Sequence, residues 1–253
     1  MKFRKILGID FGGSGIKGAP VDAKKGILLS DRYRIPTPDP AIPDSVVSTI
    51  KLIVEHFKWK KPIGITFPAV VQNGVVKTAA NIDNSWIGKN AEKLITKITK
   101  LPTCVLNDAD AAGMAEMKFG AGKGIKGSVL LVTVGTGIGT VLFTKGKLVP
   151  NTELGHITLK SGIEGEEFAS DAARKRDDLN WDAWAERFNI YLQEMEQLFW
   201  PELIIIGGGI SKKKERFIDH IKLNSKIVMA QAKNEAGIIG AAIACRANRD
   251  RFT

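Results

Sequence analysis

Two glycine-rich turns, each carrying one hydroxyl side chain, are the segments of this chain best suited to do chemistry. The first, Phe11-Gly-Gly-Ser-Gly15, and the second, Val134-Gly-Thr-Gly-Ile138, each follow an apolar run and lead into another. Glycine lets backbone N–H groups approach an anion closely and tolerates the positive φ angles of a tight turn. The pair predicts two halves of one site that grip a phosphate chain from both sides, which makes phosphoryl transfer the leading hypothesis.

Neither turn fits the two most familiar phosphate motifs. A P-loop needs Gly-x-x-x-x-Gly-Lys-Ser/Thr before a helix, and neither turn ends in that way. A dinucleotide fingerprint opens a helix, whereas Gly135–Gly139 is followed by the strand-like Thr140–Phe143. The remaining interpretation is a strand–turn–strand phosphate hairpin of the actin and hexokinase type. Asp10 favours it, because a carboxylate beside a phosphate turn is costly unless a cation such as Mg²⁺ lies between them.

Asp108 is a candidate general base. It follows a predicted strand, Pro102–Leu106, and precedes a predicted helix, Ala109–Phe119. Phosphoryl transfer to an alcohol needs a group that positions the hydroxyl and accepts its proton. Asp is equally common as a helix N-cap. The spacing by itself favours neither interpretation, and Asp110 is expected to be structural.

The same order of elements is predicted twice along the chain. The first half contains strands Ile6–Phe11, Ile16–Val21 and Ile27–Ile35, a helix capped by Asp44, strand Pro62–Val71 and helix Gly88–Thr99. The second half contains strands Ser128–Val134, Gly139–Thr144 and Lys147–Val149, helices Gly165–Lys175 and Trp181–Phe199, strand Glu202–Ile206 and helix Ala236–Ala247. A repeated meander followed by alternating helices and strands predicts an α/β protein of two related lobes with a central cleft.

Composition narrows the class of protein. The longest apolar runs fall well short of the roughly 20 residues of a membrane span, and the start of the chain leads directly into a strand, leaving no room for a signal peptide. Aromatic content is 7%, and no nucleic-acid-binding motif occurs. The two cysteines, Cys104 and Cys245, make neither a zinc pair nor a disulfide framework. These features predict a cytoplasmic protein that binds neither membranes nor nucleic acid.

Four segments occur in the order typical of ROK-family sugar kinases: Leu7–Lys17, Asn107–Ala112, Val134–Gly139 and Glu153–His156. Further segments resemble the polyphosphate-dependent glucokinases within that family, namely Ser14–Asp22, Thr78–Gly88 and Leu148–His156. The resemblance runs from about residue 6 to residue 242. It implies the actin-like ATPase (ribonuclease H-like) fold and transfer of the terminal phosphoryl group of polyphosphate to the 6-hydroxyl of glucose.

The resemblance also implies the sugar site. The catalytic base would be Asp108, and the positions that match hexose-binding residues are Asn81, Asn107, Asp108, Glu153, His156 and Glu166. Glu153 and His156 are three residues apart and could face a pocket from one turn. Glu167 could substitute for its neighbour Glu166. Two departures stand out: the zinc-binding cysteine cluster of the wider family is missing, and Ala69 stands where relatives usually have Gly.

On the donor side, the two hairpins and a third turn supply the expected phosphate contacts: Gly12, Gly13, Ser14, Lys17, Gly135, Thr136, Gly137 and Gly208. Lys17 could equally be an exposed strand lysine. Asp10 would hold Mg²⁺ through water, because magnesium keeps most of its waters. The formal net charge is +10, and the basic run Lys212–Arg216 follows the third turn. With Lys123 and Lys126 it suits a polyanion such as polyphosphate, although ATP also favours positive charge.

Other functions stay open at this point. An ATP-dependent or dual-donor hexokinase that takes glucose or mannose is the main alternative, and a sugar-sensing regulator or a noncatalytic filament protein are alternatives of other classes. We expect a small lobe of residues 1–107, with a C-terminal helix of residues 237–253 packing back on it. A large lobe of residues 108–236 completes the chain, and the resemblance suggests a homodimer.

Overall fold

The computed structural model describes residues 4–80, 82–232 and 235–247. These residues form two compact units. The first takes the described residues up to Ala115 and from Ala232 onwards, and the second is Glu116–Gln231. Among the described residues, no helix is long and apolar enough to cross a bilayer.

The strands and helices are numbered here in chain order. The strands are β1 Lys5–Gly12, β2 Gly15–Asp22, β3 Ile27–Leu28, β4 Tyr33–Ile35, β5 Ile63–Phe67, β6 Val71–Gln72, β7 Val75–Val76, β8 Thr103–Asn107, β9 Ser128–Val134, β10 Ile138–Thr144, β11 Lys147–Val149, β12 Leu203–Gly208 and β13 Lys226–Met229. The helices are α1 Pro43–His56, α2 Ala91–Thr99, α3 Asp108–Phe119, α4 Gly165–Ala169, α5 Asp171–Arg176, α6 Trp181–Phe199 and α7 Ala236–Ala247.

Each unit is built around one mixed sheet, and the two sheets have the same strand order. In the first unit the order is β3-β2-β1-β5-β8, with β4 pairing β2; in the second it is β11-β10-β9-β12-β13. In both, an antiparallel hairpin (β1–β2, β9–β10) is followed by parallel strands. The shared topology confirms that the chain consists of two related halves.

Both sheets are buried against apolar helix faces. In the first unit, α1 directs Val46, Ile50 and Ile53 into the core. In the second, α6 buries the aromatic residues Trp184, Phe188 and Tyr191 against β9 and β12. The α6 bounds agree with the predicted Trp181–Phe199, because Asn180 caps its first turn and Trp200 ends it in the left-handed conformation.

Helix α7 lies very close to the first sheet. A Cβ atom on Gly8 of β1 would collide with the carbonyl of Ile238, and one on Gly64 of β5 would collide with the carbonyl of Ala241. Glycine at these positions therefore allows the helix backbone to approach the sheet. The predicted Ala236–Ala247 helix has these bounds. Residues 248–253 of the expected C-terminal helix lie outside the described residues.

Several predicted elements were wrong in detail. The predicted Gly165–Lys175 helix divides at Ser170, whose extended backbone and side-chain cap on Ala173 begin α5. Helix α1 begins at Pro43 and not with a cap from Asp44, because proline suits the first helical position. The predicted strand Pro62–Val71 stops at Phe67 before Pro68, which has no N–H to donate to a ladder. The predicted strand Ile27–Ile35 is interrupted and forms β3 and β4.

Candidate active site

The carboxyl ends of parallel strands β1, β5 and β8 place the predicted metal ligand and general base at one edge of the first sheet. Asp10 lies opposite Thr66 in the β1–β5 register, and Phe67 lies opposite Asn107 in the β5–β8 register. Asp108 follows directly after β8. The strand register therefore brings together residues that are far apart in the sequence.

Asp10 is held by two neighbours. Its Oδ1 accepts a hydrogen bond of 2.8 Å from the Thr66 hydroxyl, which itself accepts one of 3.2 Å from the amide of Phe11. The Nζ of Lys17 lies 3.8 Å from Oδ2 of Asp10, because the β1–β2 register pairs the two residues. Lys17 therefore faces the Asp10 carboxylate and is not simply an exposed strand lysine.

The first glycine turn is fixed by side chains from outside it. Gly13 and Ser14 form the exposed tip between the paired Gly12 and Gly15. The Thr37 hydroxyl donates to the carbonyl of Gly12 at 2.6 Å, and Nη2 of Arg34 donates to the carbonyl of Ser14 at 2.5 Å.

The sequence analysis missed Arg34, Thr37 and Thr66. Arg34 reaches the turn because β4 pairs with β2. The predicted continuous strand Ile27–Ile35 gave no signal of that pairing.

Asn107 takes the helix-cap role that the sequence left open for Asp108. Asn107 is 9% exposed, and its Oδ1 accepts hydrogen bonds from the amides of Ala109 at 2.8 Å and Asp110 at 3.1 Å. Its Nδ2 donates to the carbonyl of Ala69 at 3.2 Å. Asn107 is thus the N-cap of α3. Asp108 is the exposed first residue of that helix, and its Oδ1 accepts from the amide of Ala109 at 2.8 Å.

In the second unit, the second glycine turn connects β9 to β10. The amide of Gly135 donates to the carbonyl of Gly137 at 2.9 Å, and the carbonyl of Gly135 accepts from the amide of Asp171 at 3.1 Å. Thr136 is exposed at the tip. The amide of Ile138 donates to Oε2 of Glu166 at 2.8 Å, and a Cβ on Gly137 would collide with that carboxylate. The turn is therefore closed by a residue predicted to bind sugar.

Gly208 lies at the end of β12, paired with Val134 at the end of β9. Its φ of 77° and ψ of −167° belong to a region that is essentially restricted to glycine. A Cβ there would also collide with the carbonyl of Val134. The third predicted phosphate contact therefore borders the second glycine turn.

Glu153 caps and His156 ends one short 3-10 turn, Leu154–His156, which is anchored on β10. Thr140 and Thr152 exchange hydroxyl-to-carbonyl hydrogen bonds of 2.6 and 2.9 Å, and Gly155 packs against the carbonyl of Ile138. The anchoring explains how β10 presents both side chains on the same turn.

The second unit brings three carboxylates together around one imidazole. Nδ1 of His156 lies 2.6 Å from Oε1 of Glu164, and Nε2 lies 3.9 Å from Oε2 of Glu153. Glu166 acts electrostatically on both His156 and Glu153. Glu166 is partly buried whereas Glu167 is exposed. Glu164 is the member that the sequence analysis missed.

The charges of this cluster shift two pKa values upward. The hydrogen bond with Glu164 raises the pKa of His156, burial opposes the rise, and the charges of Glu164, Glu166 and Glu153 add to it. Burial raises the pKa of Glu153, which the charge of His156 lowers and that of Glu166 raises further. A donor surrounded by acceptors suits the recognition of several sugar hydroxyls.

A basic surface follows Gly208. Lys212–Arg216 is exposed on a short 3-10 helix. Nζ of Lys213 lies 5.1 Å, and the guanidinium carbon of Arg216 5.4 Å, from the ring centre of Trp181. The guanidinium carbon of Arg174 lies 4.4 Å from the same ring. The aromatic ring gathers cations that are separated in sequence.

One predicted sugar-binding residue, Asn81, lies outside the described residues. Within residues 4–80, 82–232 and 235–247, no group of three or more His, Cys, Asp or Glu could hold a metal ion. A lone carboxylate such as Asp10 fits magnesium, which is commonly bound by one or two carboxylates together with substrate phosphates and water.

Residues 6–174 match the ROK family, and the chain belongs to it. It is 46% identical to the polyphosphate glucokinase of Mycobacterium tuberculosis over 242 residues, which cover 95% of this chain and 91% of the relative. These findings confirm the family resemblance. At this level of identity the chain is an enzyme of the kinase type.

Two solved structures extend the comparison. The inorganic polyphosphate/ATP-glucomannokinase of Arthrobacter sp. strain KM is 48% identical with a TM-score of 0.87, covering 95% of this chain and 98% of that one. The ROK family glucokinase of Streptomyces griseus, solved with glucose and AMPPNP, is 25% identical with a TM-score of 0.77, covering 94% and 98%. The likeness confirms the predicted actin-like ATPase fold.

Proposed function

We propose that the chain is a polyphosphate-dependent glucokinase. It transfers the terminal phosphoryl group of inorganic polyphosphate to the 6-hydroxyl of glucose, giving glucose 6-phosphate and a polymer one unit shorter. The observation that carries the proposal is the 46% identity to a polyphosphate glucokinase over 95% of the chain. The Arthrobacter enzyme, whose name includes both polyphosphate and glucose-type acceptors, supports the same donor and acceptor.

Each residue has a role in this reaction. The 6-hydroxyl oxygen forms a bond to the terminal phosphorus while the bond to the bridging oxygen of the polymer breaks, and Asp108 accepts the hydroxyl proton. Its exposed position at the start of α3 supports that role, because Asn107 caps the helix. The residues assigned to the sugar hydroxyls are Asn81, Asn107, Glu153, His156 and Glu166.

The two glycine turns bind the donor through backbone N–H groups and side-chain hydroxyls. The first turn supplies Gly12, Gly13 and Ser14, and the second supplies Gly135, Thr136 and Gly137. Gly208, which borders the second turn, adds a further phosphate contact. Lys17 contributes positive charge next to Asp10. Asp10 holds Mg²⁺ through water. The ion, when bound, neutralises charge on the donor phosphates. The hydroxyl of Thr66 keeps the Asp10 carboxylate in place for that role.

The basic surface, Lys212–Arg216 with Arg174, supports a polyanionic donor. Linear polyphosphate offers no base or ribose to recognise, so spaced cations must supply its affinity. An ATP-dependent or dual-donor hexokinase that also takes mannose is the second candidate. The Arthrobacter relative favours it, since its name includes ATP and mannose-type activity.

We further propose a homodimer in the cytoplasm. We assign to the contact between the two copies Leu198 and Trp200 near the end of α6, which are 57% and 69% exposed. Sedimentation velocity should give the mass of a dimer, and Trp200→Ser should shift the population towards monomer. A wild-type protein that sediments as a monomer at assay concentrations would contradict the dimer.

The donor experiment tests the function. Purified protein, glucose and Mg²⁺ are mixed with polyphosphate or ATP at matched concentrations, and glucose 6-phosphate is measured at rising salt. A similarly purified Asp108→Asn variant controls for contaminating kinases. We expect a higher kcat/KM with polyphosphate, falling steeply with salt. A higher kcat/KM with ATP would overturn the assignment of polyphosphate as the preferred donor. If neither donor gave glucose 6-phosphate, the proposed glucokinase activity would be wrong.

A further inference from the structure

One carboxylate in the second unit has no role in the reaction described above, although it makes a close contact with a sugar-site residue. Glu164 is absent from the sequence-predicted site, yet its Oε1 lies 2.6 Å from Nδ1 of His156. The distance is that of a charge-assisted hydrogen bond, which is shorter and stronger than a neutral one. The contact is also the shorter of the two described between the imidazole and a carboxylate, since Glu153 lies 3.9 Å away.

The backbone between the two residues is built to make this contact. Thr158 and Glu164 form an antiparallel bridge. The amide of Gly165 donates to the carbonyl of Ile157 at 2.9 Å, and the amide of Leu159 donates to the carbonyl of Ile163 at 2.9 Å. Glu164 is thus fixed opposite the strand-like segment that follows His156. The loop folds back and presents the carboxylate to the ring.

The contact also determines which ring nitrogen of His156 is available to bind a sugar hydroxyl. A carboxylate accepts only, so Nδ1 of His156 must carry a proton. The other nitrogen, Nε2, lies on the side of Glu153 at 3.9 Å. With Nδ1 engaged and the ring plane fixed, Nε2 is the atom that His156 can offer to a sugar hydroxyl.

We propose that Glu164 is a positioning residue of the glucose site, which fixes the orientation and protonation of His156 so that Nε2 meets the sugar. The inference rests on the proposed function. It assigns no contact between Glu164 and the reacting atoms. Glu164 acts through His156, in the manner of an outer partner that orients a ligand-binding imidazole.

The direction of the pH dependence follows from the charges around the ring. The groups that face His156 are Glu164 in the loop, Glu153 on the 3-10 turn and Glu166 on α4. Their carboxylates raise the pKa of His156, so the imidazolium persists above the ordinary value of about 6.5. The contribution of the protonated His156 to the stability of the folded protein is complete below that pH. It is lost as the pH rises through the raised pKa.

The test combines kinetics with titration. The variants are Glu164→Gln, which keeps the shape, and Glu164→Ala. Glu186→Gln, which changes an exposed glutamate on α6, is the matched control. The chain has three histidines, so NMR can follow each ring separately. We expect Glu164→Gln to lower the titration midpoint of His156, and to raise the glucose KM about tenfold with a smaller change in kcat. Glu164→Ala should raise KM further.

Two results would overturn the inference. The first is a His156 midpoint that does not move in folded Glu164→Gln. The second is a lower melting temperature with an unchanged glucose KM, because this would leave only a structural role. The NMR titration needs no turnover. If the wild-type protein made no glucose 6-phosphate, the proposed function would fail, while the titration would still report on the Glu164–His156 contact.

Discussion

The Oε2 atom of Glu166 accepts a hydrogen bond of 2.8 Å from the backbone amide of Ile138, the first residue of β10. One carboxylate therefore joins the start of α4 to the strand that leaves the second glycine turn. Because the same β10 anchors the Glu153–His156 turn through Thr140, the predicted phosphate and sugar segments of the second unit form one hydrogen-bonded piece.

The first prediction follows from this bond. Glu166→Ala removes the acceptor that closes the second glycine turn and one charge from the sugar cluster. Hydrogen bonds to charged groups contribute about 1.5–3 kcal/mol, so kcat/KM should fall roughly 10- to 100-fold for both glucose and donor. Steady-state rates with each substrate varied in turn measure this. Glu167→Ala should change kcat/KM less than about twofold, since Glu167 is exposed. Equal losses in the two variants would contradict the assignment of Glu166.

The second prediction compares two glycines near one turn. Gly208→Ala forces a side chain into a glycine-only conformation and against the carbonyl of Val134, so the free energy of unfolding should fall by about 1–3 kcal/mol. Gly135→Ala is the matched control, because a methyl group there meets no described atom within 4 Å. Chemical denaturation measures both. Equal stability of the two variants would show that the fold does not require the glycine-only conformation at Gly208.

The third prediction concerns magnesium. Asp10→Asn keeps a partner for Thr66 but removes the charge that holds the ion, so the Mg²⁺ concentration for half-maximal activity should rise about tenfold. Chelation should abolish turnover in the wild-type protein, and added Mg²⁺ should restore it. Asp44→Asn, an exposed change in the first turn of α1, is the control. An unchanged Mg²⁺ requirement in Asp10→Asn would contradict the metal assignment.

The fourth prediction tests whether the basic surface binds polyphosphate specifically or acts only through the net positive charge of the protein. The double variant Lys213→Ala with Arg216→Ala should raise the polyphosphate KM and make its dependence on salt less steep, because fewer ion contacts are broken. The ATP KM should change less. Lys93→Ala with Lys97→Ala on α2 removes the same charge elsewhere. Identical polyphosphate kinetics in both double variants would contradict the proposal that this surface binds polyphosphate.

The sequence predicted the repeated architecture because both halves carry the same glycine hairpins between β-branched runs. Helices α6 and α7 were predicted with their observed bounds. Long periodic runs and small-residue runs with clear end signals are compatible with few other secondary structures. The family motifs singled out Asp10, which lies on β1, Asp108, which follows β8, and Glu153 and His156, which lie at the 3-10 turn after β11. The register of β1 with β2 and β5 then explains why Asp10 meets Lys17 and Thr66.

Contacts between distant loops could not be predicted. Arg34 reaches Ser14 only because β4 pairs with β2, and Glu164 reaches His156 only because the chain between them folds back. Neither pairing has a local pattern. The capping role of Asn107 is local, because its Oδ1 accepts from the amides of Ala109 and Asp110. It was missed because the helix was predicted to begin at Ala109, one residue later than observed, which made Asp108 the N-cap candidate. Single residues also ended elements for which the hydrophobic periodicity had predicted a greater length. Pro68 follows the end of β5, and Ser170 divides the predicted Gly165–Lys175 helix.

The most direct measurement is the rate of glucose 6-phosphate formation from polyphosphate by the Asp108→Asn variant, with folding checked by circular dichroism and thermal melting. Asparagine keeps the size of the side chain but cannot accept the hydroxyl proton. We predict a fall in kcat of about 100- to 10,000-fold in a protein that melts like the wild type. A variant that is folded and phosphorylates glucose at the wild-type rate would contradict the assignment of Asp108 as the catalytic base.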